Sequence, residues 1–285
     1  MLGRKKMTGG YFAKIPNQFI KSKEFDDKLI LTIICLDRRR FYENVSCLSL
    51  LKLIESSGYR FSRSPCGSLA QFKNQLQFLI DNEMIEPERD INTLKPDACI
   101  DIKVLDNFEV HKDYTIITAK EIDDLLQSPA KIDKSKLFAV YLYIKSFMRN
   151  RNLDDNGNEF KDAKDNPSAF WGTISNTVTD VGVAKETVNK CLKEYLKLGL
   201  LKRHVVGSYV TKHSEGIVRI NVPNIYVLNQ EGWGQEIERA LDKIKTFHNT
   251  TSFDPPALRG KKTKVSVTVS GEEDNMDDLY YKLNK

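Results

Sequence analysis

Apolar positions along the chain recur with helical spacing in some stretches and alternate in others, and the order of these stretches is informative. Phe25 to Arg40 places Leu29, Ile30, Ile33, Ile34 and Leu36 between charges, the signature of an amphipathic helix. Leu48 to Ser57 repeats the pattern through Leu48, Leu51 and Ile54 and stops at Gly58. A polar, basic loop, Tyr59-Arg60-Phe61-Ser62-Arg63-Ser64-Pro65, precedes a third helix over Ser68 to Asn82, with Leu69, Phe72, Leu76 and Leu79 as its stripe. Met84-Ile85-Glu86 leads into turn residues, and Ala98 to Leu105 alternates as a strand. Ahead of these elements, Tyr11 to Ile20 reads as a short extended stretch ending in Ile15-Pro16, where proline bars a continuing helix.

The same order returns downstream. Lys136 to Arg149 is amphipathic through Leu137, Val140, Tyr141, Ile144 and Phe147. An Asn156-Gly157 turn and a polar loop lead to Phe170-Trp171 and a short helix carrying Ile174 and Val178, broken by Gly182. Ala184 to Leu198 is a helix with Val188, Cys191, Leu192 and Tyr195 on one face. After Gly199-Leu200-Leu201 come a strand through His204 to Val210, a basic turn, and a strand from Ile217 to Val222. Glu231 to Phe247 is a further amphipathic segment, whose stripe either packs on its own domain or pairs with a second copy. From Asn249 the composition shifts to Thr, Ser, Pro and Lys, then to the acidic stretch Gly271 to Lys285. The first reads as a flexible linker and the second as a short peptide element.

A length of 285 residues accommodates two ordinary domains, and 40% apolar with 29% charged residues describes a soluble chain. No apolar run approaches the roughly 18 residues of a membrane span, and no signal-peptide segment follows the basic start, so a cytoplasmic location and no membrane partner are expected. Five cysteines without C-x-x-C spacing and four scattered histidines argue against a disulfide framework or a metal site, and no cofactor is expected. Dinucleotide, P-loop and nucleophile-elbow motifs are absent. Asp154-Asp155-Asn156-Gly157 lacks the glycine position and terminal Glu of a calcium loop. The chain is therefore not expected to be an enzyme.

Charge distribution says more than the net +5. Met1 to Lys73 balances at +8, Leu76 to Ala130 lies acidic by contrast, and Val181 to Asn221 balances at +5. Two basic segments flanking an acidic one suggest two electrostatic footprints, with ordinary solvated surface as the alternative. Within Val178 to Arg203, Gly182 supplies a tight turn between two helices, while Val183, Val188, Leu192 and Leu196 pin the second. Lys185, Glu186, Asn189, Lys190, Lys193 and Lys197 remain for the outer face, where amide and ammonium groups suit base edges and phosphates of a major groove, and Thr187 joins them as a DNA-binding candidate. Lys212 sits at the tip of the following hairpin. In the first half, Gln71, Asn74, Gln75 and Gln77 form the corresponding polar face and Arg60 and Arg63 offer phosphate contacts, a solvated face being the alternative.

Asp133 to Leu228 resembles bacterial winged helix-turn-helix domains in its helix-plus-Gly-Leu-hairpin pattern. Phe12 to Pro16, Phe19, Lys28 and Leu36-Asp37-Arg38 resemble the opening of replication initiators of Gram-positive plasmids, phages and integrative elements, with a departure at Arg39 to Val45. The resemblance implies a mainly α fold with small β-hairpin wings, of α+β class: two tandem winged helix-turn-helix domains and a flexible C-terminal tail. The expected division is an arm over 1–20, a first domain over 21–110, a connector over 111–132, a second domain with a C-terminal helix over 133–248, and a disordered linker and acidic peptide over 249–285. The implied function is sequence-specific binding of double-stranded DNA at an origin; a transcriptional regulator and a protein-binding scaffold are the alternatives. The acidic peptide could recruit a replication protein, a helicase or its loader, mask the basic DNA surface, or be inert. For the C-terminal stripe, packing on its own domain is the expectation, because it spans only about two heptads, and a homodimer is the alternative.

Overall fold

The computed structural model describes residues 11–22, 26, 28–40, 44–108, 113–148, 167–213 and 216–255. The basic arm over 1–10, the Asp154 to Gly157 turn and the chain from Pro256 onward, including the acidic peptide, lie outside the described residues. The chain contains helices and small antiparallel sheets, an α+β composition. Contacts divide it into two compact units, Met1–Ser146 with Thr179–Glu194, and Phe147–Val178 with Tyr195–Lys285.

In the first unit, β1 (Phe12–Pro16) pairs antiparallel with β5 (Tyr114–Thr118), Phe12 opposite Thr118 and Pro16 opposite Tyr114. The pairing joins part of the expected arm to part of the expected connector, and the one-turn helix α1 (Asn17–Ile20) strengthens it. Asn17 donates from Nδ2 to Asp113 (2.6 Å) and accepts from the Thr115 hydroxyl (2.7 Å), so the proline that stops the strand is followed by a pinned turn. Helix α2 (Lys28–Arg38) is buried at every position from Leu29 to Leu36, more than the single face its spacing predicts.

The strand β2 (Val45–Ser49) ends at Ser49, whose side chain accepts from the Lys52 N–H and caps α3 (Leu50–Ser56). Helix α4 (Ser68–Asp81), β3 (Ile85–Pro87) and β4 (Cys99–Val104) follow, and β4 lies between β2 and β3. Helix α5 (Ala119–Gln127) begins in a capping box in which Thr118 and Glu121 satisfy each other's backbone N–H groups. Helix α6 (Lys134–Ser146) was expected to open the second domain with one apolar face. Leu137 through Lys145 are all buried, and the helix packs against α1, α2, α5 and β5. The run Leu-Phe-Ala-Val-Tyr-Leu-Tyr-Ile offers no polar stripe, so burial on all sides is the favourable solution.

The second unit is built on β6 (Ala169–Phe170), β7 (Leu201–His204) and β10 (Ile225–Leu228), with β10 central. The hairpin β8 (Gly207–His213) and β9 (Gly216–Val222) forms its own two-stranded sheet between them in sequence. The single strand expected over His204 to Val210 is thus two, interrupted at Val205-Val206. Helix α9 (Trp233–Phe247) buries Ile237, Ala240 and Ile244 and packs on β10 and β6. Its Glu236 accepts from the Ser168 N–H at 2.7 Å and from Arg239 at 3.1 Å. Both three-stranded sheets follow one plan: a strand, two helices, a second strand, and a last strand that returns between the first two. The two helices of the second repeat are α7 (Ile174–Val181) and α8 (Lys185–Lys197), of which residues 179–194 group by contacts with the first unit.

Candidate nucleic-acid interface

The turn into α8 needs a residue that tolerates a left-handed backbone, and Gly182 supplies it at φ +71°. The Ala184 carbonyl then accepts from the Thr187 and Val188 N–H groups, starting the helix. Val181, Val183, Val188, Cys191, Leu192 and Tyr195 are buried, and Leu196 is half-buried. With that stripe inward, Lys185, Glu186, Lys190 and Lys193 are exposed, and Thr187 and Asn189 are half-exposed. Asn189, half-exposed, donates from Nδ2 to the Lys185 carbonyl at 3.0 Å, as Gln71 on α4 does to the Cys66 carbonyl, and its Oδ1 remains an acceptor. Glu194 departs from the charged face: it is buried and accepts from the Ser128 hydroxyl at 2.8 Å.

Among the described residues, Lys185, Lys190 and Lys193 have no ion-pair partner. Three ammonium groups on successive turns, without an ion pair among the described residues, create a field that attracts a polyanion. The helix ends at Gly199, φ +67°, whose carbonyl accepts from Asn229 Nδ2 at 2.7 Å. Beyond it, Lys202 and Arg203 on β7 are exposed, two cations the sequence reading left out. Their signal was the burial pattern of a two-sided edge strand, which shows only once β10 pairs with β7. Lys212 lies in β8 opposite Ile217, beside the hairpin tip.

The first unit arranges its candidates differently. The loop before α4 folds back on the helix start: the Ser68 hydroxyl donates to the Arg60 carbonyl (2.8 Å) and accepts from the Ser62 N–H (2.9 Å). Gly67 is wedged there, because a Cβ would stand 2.8 Å from the Ser62 carbonyl oxygen. Arg60 and Arg63 project from this loop and are exposed. Gln75 does not belong to the outer face: it is 8% exposed and lies on the inward stripe with Phe72, Leu76 and Leu79. That stripe runs i, i+3, i+4, i+7 from Phe72, whereas the expected one started at Leu69, which is only half-buried. Gln71 donates to the Cys66 carbonyl at 2.9 Å and Gln77 to Asp81 at 2.8 Å, so Asn74 is left as the exposed amide of the set.

Among the described residues no three His, Cys, Asp or Glu side chains converge on a metal-sized site, and no helix is long and apolar enough to cross a membrane. Cys35 and Cys191 are buried, Cys47, Cys66 and Cys99 exposed, and none is in a disulfide. A cleft of about 420 Å³ between α2 and α5 carries Arg38 on its rim, but that guanidinium is already held by Asp123 at 3.0 Å. No family model, curated protein or solved structure matches the chain.

Proposed function

We propose that the chain binds duplex DNA sequence-specifically through two tandem winged helix-turn-helix modules, with α8 as a recognition helix. The observation that carries the reading is the α8 face, where Lys185, Lys190 and Lys193 stand exposed and, among the described residues, without an ion pair while the opposite face is buried. The repeated sheet plan supports the modular part, since a strand, two helices and a returning strand pair are the elements of a winged helix, with β8–β9 as the extended wing of the second. The outer Glu186, Thr187 and Asn189 are of the types that hydrogen-bond base edges, and the lysines of the type that holds phosphates.

The role proposed for this binding is initiation of replication at the origin of a plasmid, phage or integrative element. It is supported by the resemblance over Phe12 to Pro16, Phe19, Lys28 and Leu36-Asp37-Arg38. Recruitment of a helicase or its loader through the acidic residues 271–285 belongs to the same proposal. A salt series tests the DNA reading directly. Each phosphate neutralised contributes about −0.9 to the slope of log affinity against log salt. Replacing Lys185, Lys190 and Lys193 by alanine together is expected to make that slope shallower by about 3 units, measured by fluorescence anisotropy on a labelled duplex. Affinity that ignores salt in the wild type would refute the reading and favour a protein-binding scaffold.

A further inference from the structure

The DNA-binding reading treats the two modules as equivalent, yet their surfaces are not. On α4, three of the four amides that a recognition helix would aim at bases are tied or turned inward, and Asn74 remains exposed. Gln75 is on the buried stripe, Gln71 is tied to the Cys66 carbonyl, and Gln77 is tied to Asp81. Lys73, the cation on this helix, donates to the Asn92 carbonyl at 3.0 Å rather than projecting free. The hairpin that follows is worse suited still. Between Glu83 and Asp106 there are seven acidic residues against three basic ones, and Glu86, Glu88, Asp90 and Asp101 are exposed or half-exposed. A winged helix seats its helix in the major groove while the wing rests on the flanking backbone. An acidic wing meets that backbone with like charge and holds the helix off the bases.

The second module has the opposite character. From Leu201 to Val222 there are four basic residues and one acidic residue: Lys202 and Arg203 are exposed on β7, and of the two basic residues of the hairpin Arg219 is held by Asp254 at 2.7 Å, so this side lacks the acidic excess of the first module. We infer that base recognition is confined to α8, through Glu186 and Asn189, and that the first module contributes phosphate contacts from Arg60 and Arg63 without reading sequence. This inference rests on the DNA-binding reading above. It predicts a recognition sequence with one block of preferred bases within a single helical turn, about 10 bp, flanked by DNA whose sequence does not matter.

Selection from a pool of duplexes with 30 randomised base pairs, using the full chain, tests this. The wild type is expected to enrich one block. Glu186→Ala with Asn189→Ala is expected to flatten preference within it, each lost pairing costing roughly five- to 150-fold in discrimination. Asn74→Ala, which removes an exposed side chain, and the double variant Gln71→Ala with Asn74→Ala are both expected to enrich the wild-type block unchanged. Arg60→Ala with Arg63→Ala is expected to weaken all duplexes alike and make the salt slope shallower by about 2. Two enriched blocks about a helical turn apart, one of them lost with Asn74→Ala, would overturn the inference while leaving DNA binding intact. No enrichment together with salt-independent affinity would overturn the DNA-binding reading itself, and this inference with it.

Discussion

Lys145 is 5% exposed, yet its ammonium reaches both carboxylate oxygens of Glu121 at 2.6 and 2.7 Å. The same carboxylate accepts from the Tyr141 hydroxyl at 2.6 Å and from the Thr118 N–H, so the pair is fully hydrogen-bonded. Burial pushes the Glu121 carboxyl up, but Lys145 and these hydrogen bonds outweigh it and leave it below its ordinary 4.5. Removing one partner strands the other charge: Lys145→Ala is expected to cost about 3–5 kcal/mol in urea unfolding, and Lys145→Met combined with Glu121→Leu to recover most of it. The pH dependence has a definite sign. The unfolded chain binds the Glu121 proton more tightly, so this stability is complete above pH 4.5 and is lost as pH falls through the depressed folded value. Glu121→Gln should remove that acid-side slope. None of this was legible in the sequence, where Lys145 lies outside the apolar set that marks the helix over Lys136 to Arg149. Single-helix periodicity cannot tell a solvated lysine from one whose counter-ion arrives from an element 24 residues away. Gln75 was misplaced for a related reason: choosing Leu69 rather than Phe72 as the start of the stripe rotates one residue across the boundary.

The elements that follow local rules were legible. Helices α4, α8 and α9 lie within one or two residues of their expected bounds, apart from a slightly later start at Trp233, because each pairs a long apolar stripe with a defined stop. The short strands were not. β2 and β6 have five and two residues and owe their existence to β4 and β10, partners more than fifty residues away in sequence. β1 and β5, about a hundred residues apart, turned an expected arm and connector into one structure. Glycine punctuation was legible where it marked helix ends: Gly182 and Gly199 both have left-handed backbones. A Cβ in that region costs about 1–2 kcal/mol. Gly182→Ala and Gly199→Ala are each expected to lose that much stability by urea unfolding. Gly182→Ala alone should also weaken DNA binding in the anisotropy assay, because its turn sets the direction from which α8 starts. Equal loss of affinity from both would mean that general destabilisation, not helix placement, governs binding.

At the scale of the whole molecule, charge and apolar surface argue together about how many chains a DNA site engages. A dimer of helix-turn-helix proteins reads a palindrome because its own two-fold axis repeats one recognition helix. On the DNA-binding reading proposed above, this chain would lengthen its footprint by a different means, through two non-identical modules in one polypeptide. The stripe on α9 that could have paired with a second copy is already spent: Ile237, Ala240 and Ile244 are buried against β10 and β6 of the same chain. Trp233 and Phe247, 41% and 38% exposed, sit at opposite ends of the helix, about 20 Å apart at 1.5 Å per residue. They do not form the continuous apolar seam a helix pair requires. Leu241, half-buried at the margin of the stripe, is the discriminating position. Leu241→Lys is expected to leave the sedimentation coefficient at the monomer value and to cost a modest amount of stability, as a charge beside a packed edge does. One chain should then bind each site, and the selected sequence should lack two-fold symmetry. A wild-type dimer that Leu241→Lys converts to a folded monomer would show that α9 serves assembly, and the recognised DNA should in that case be palindromic.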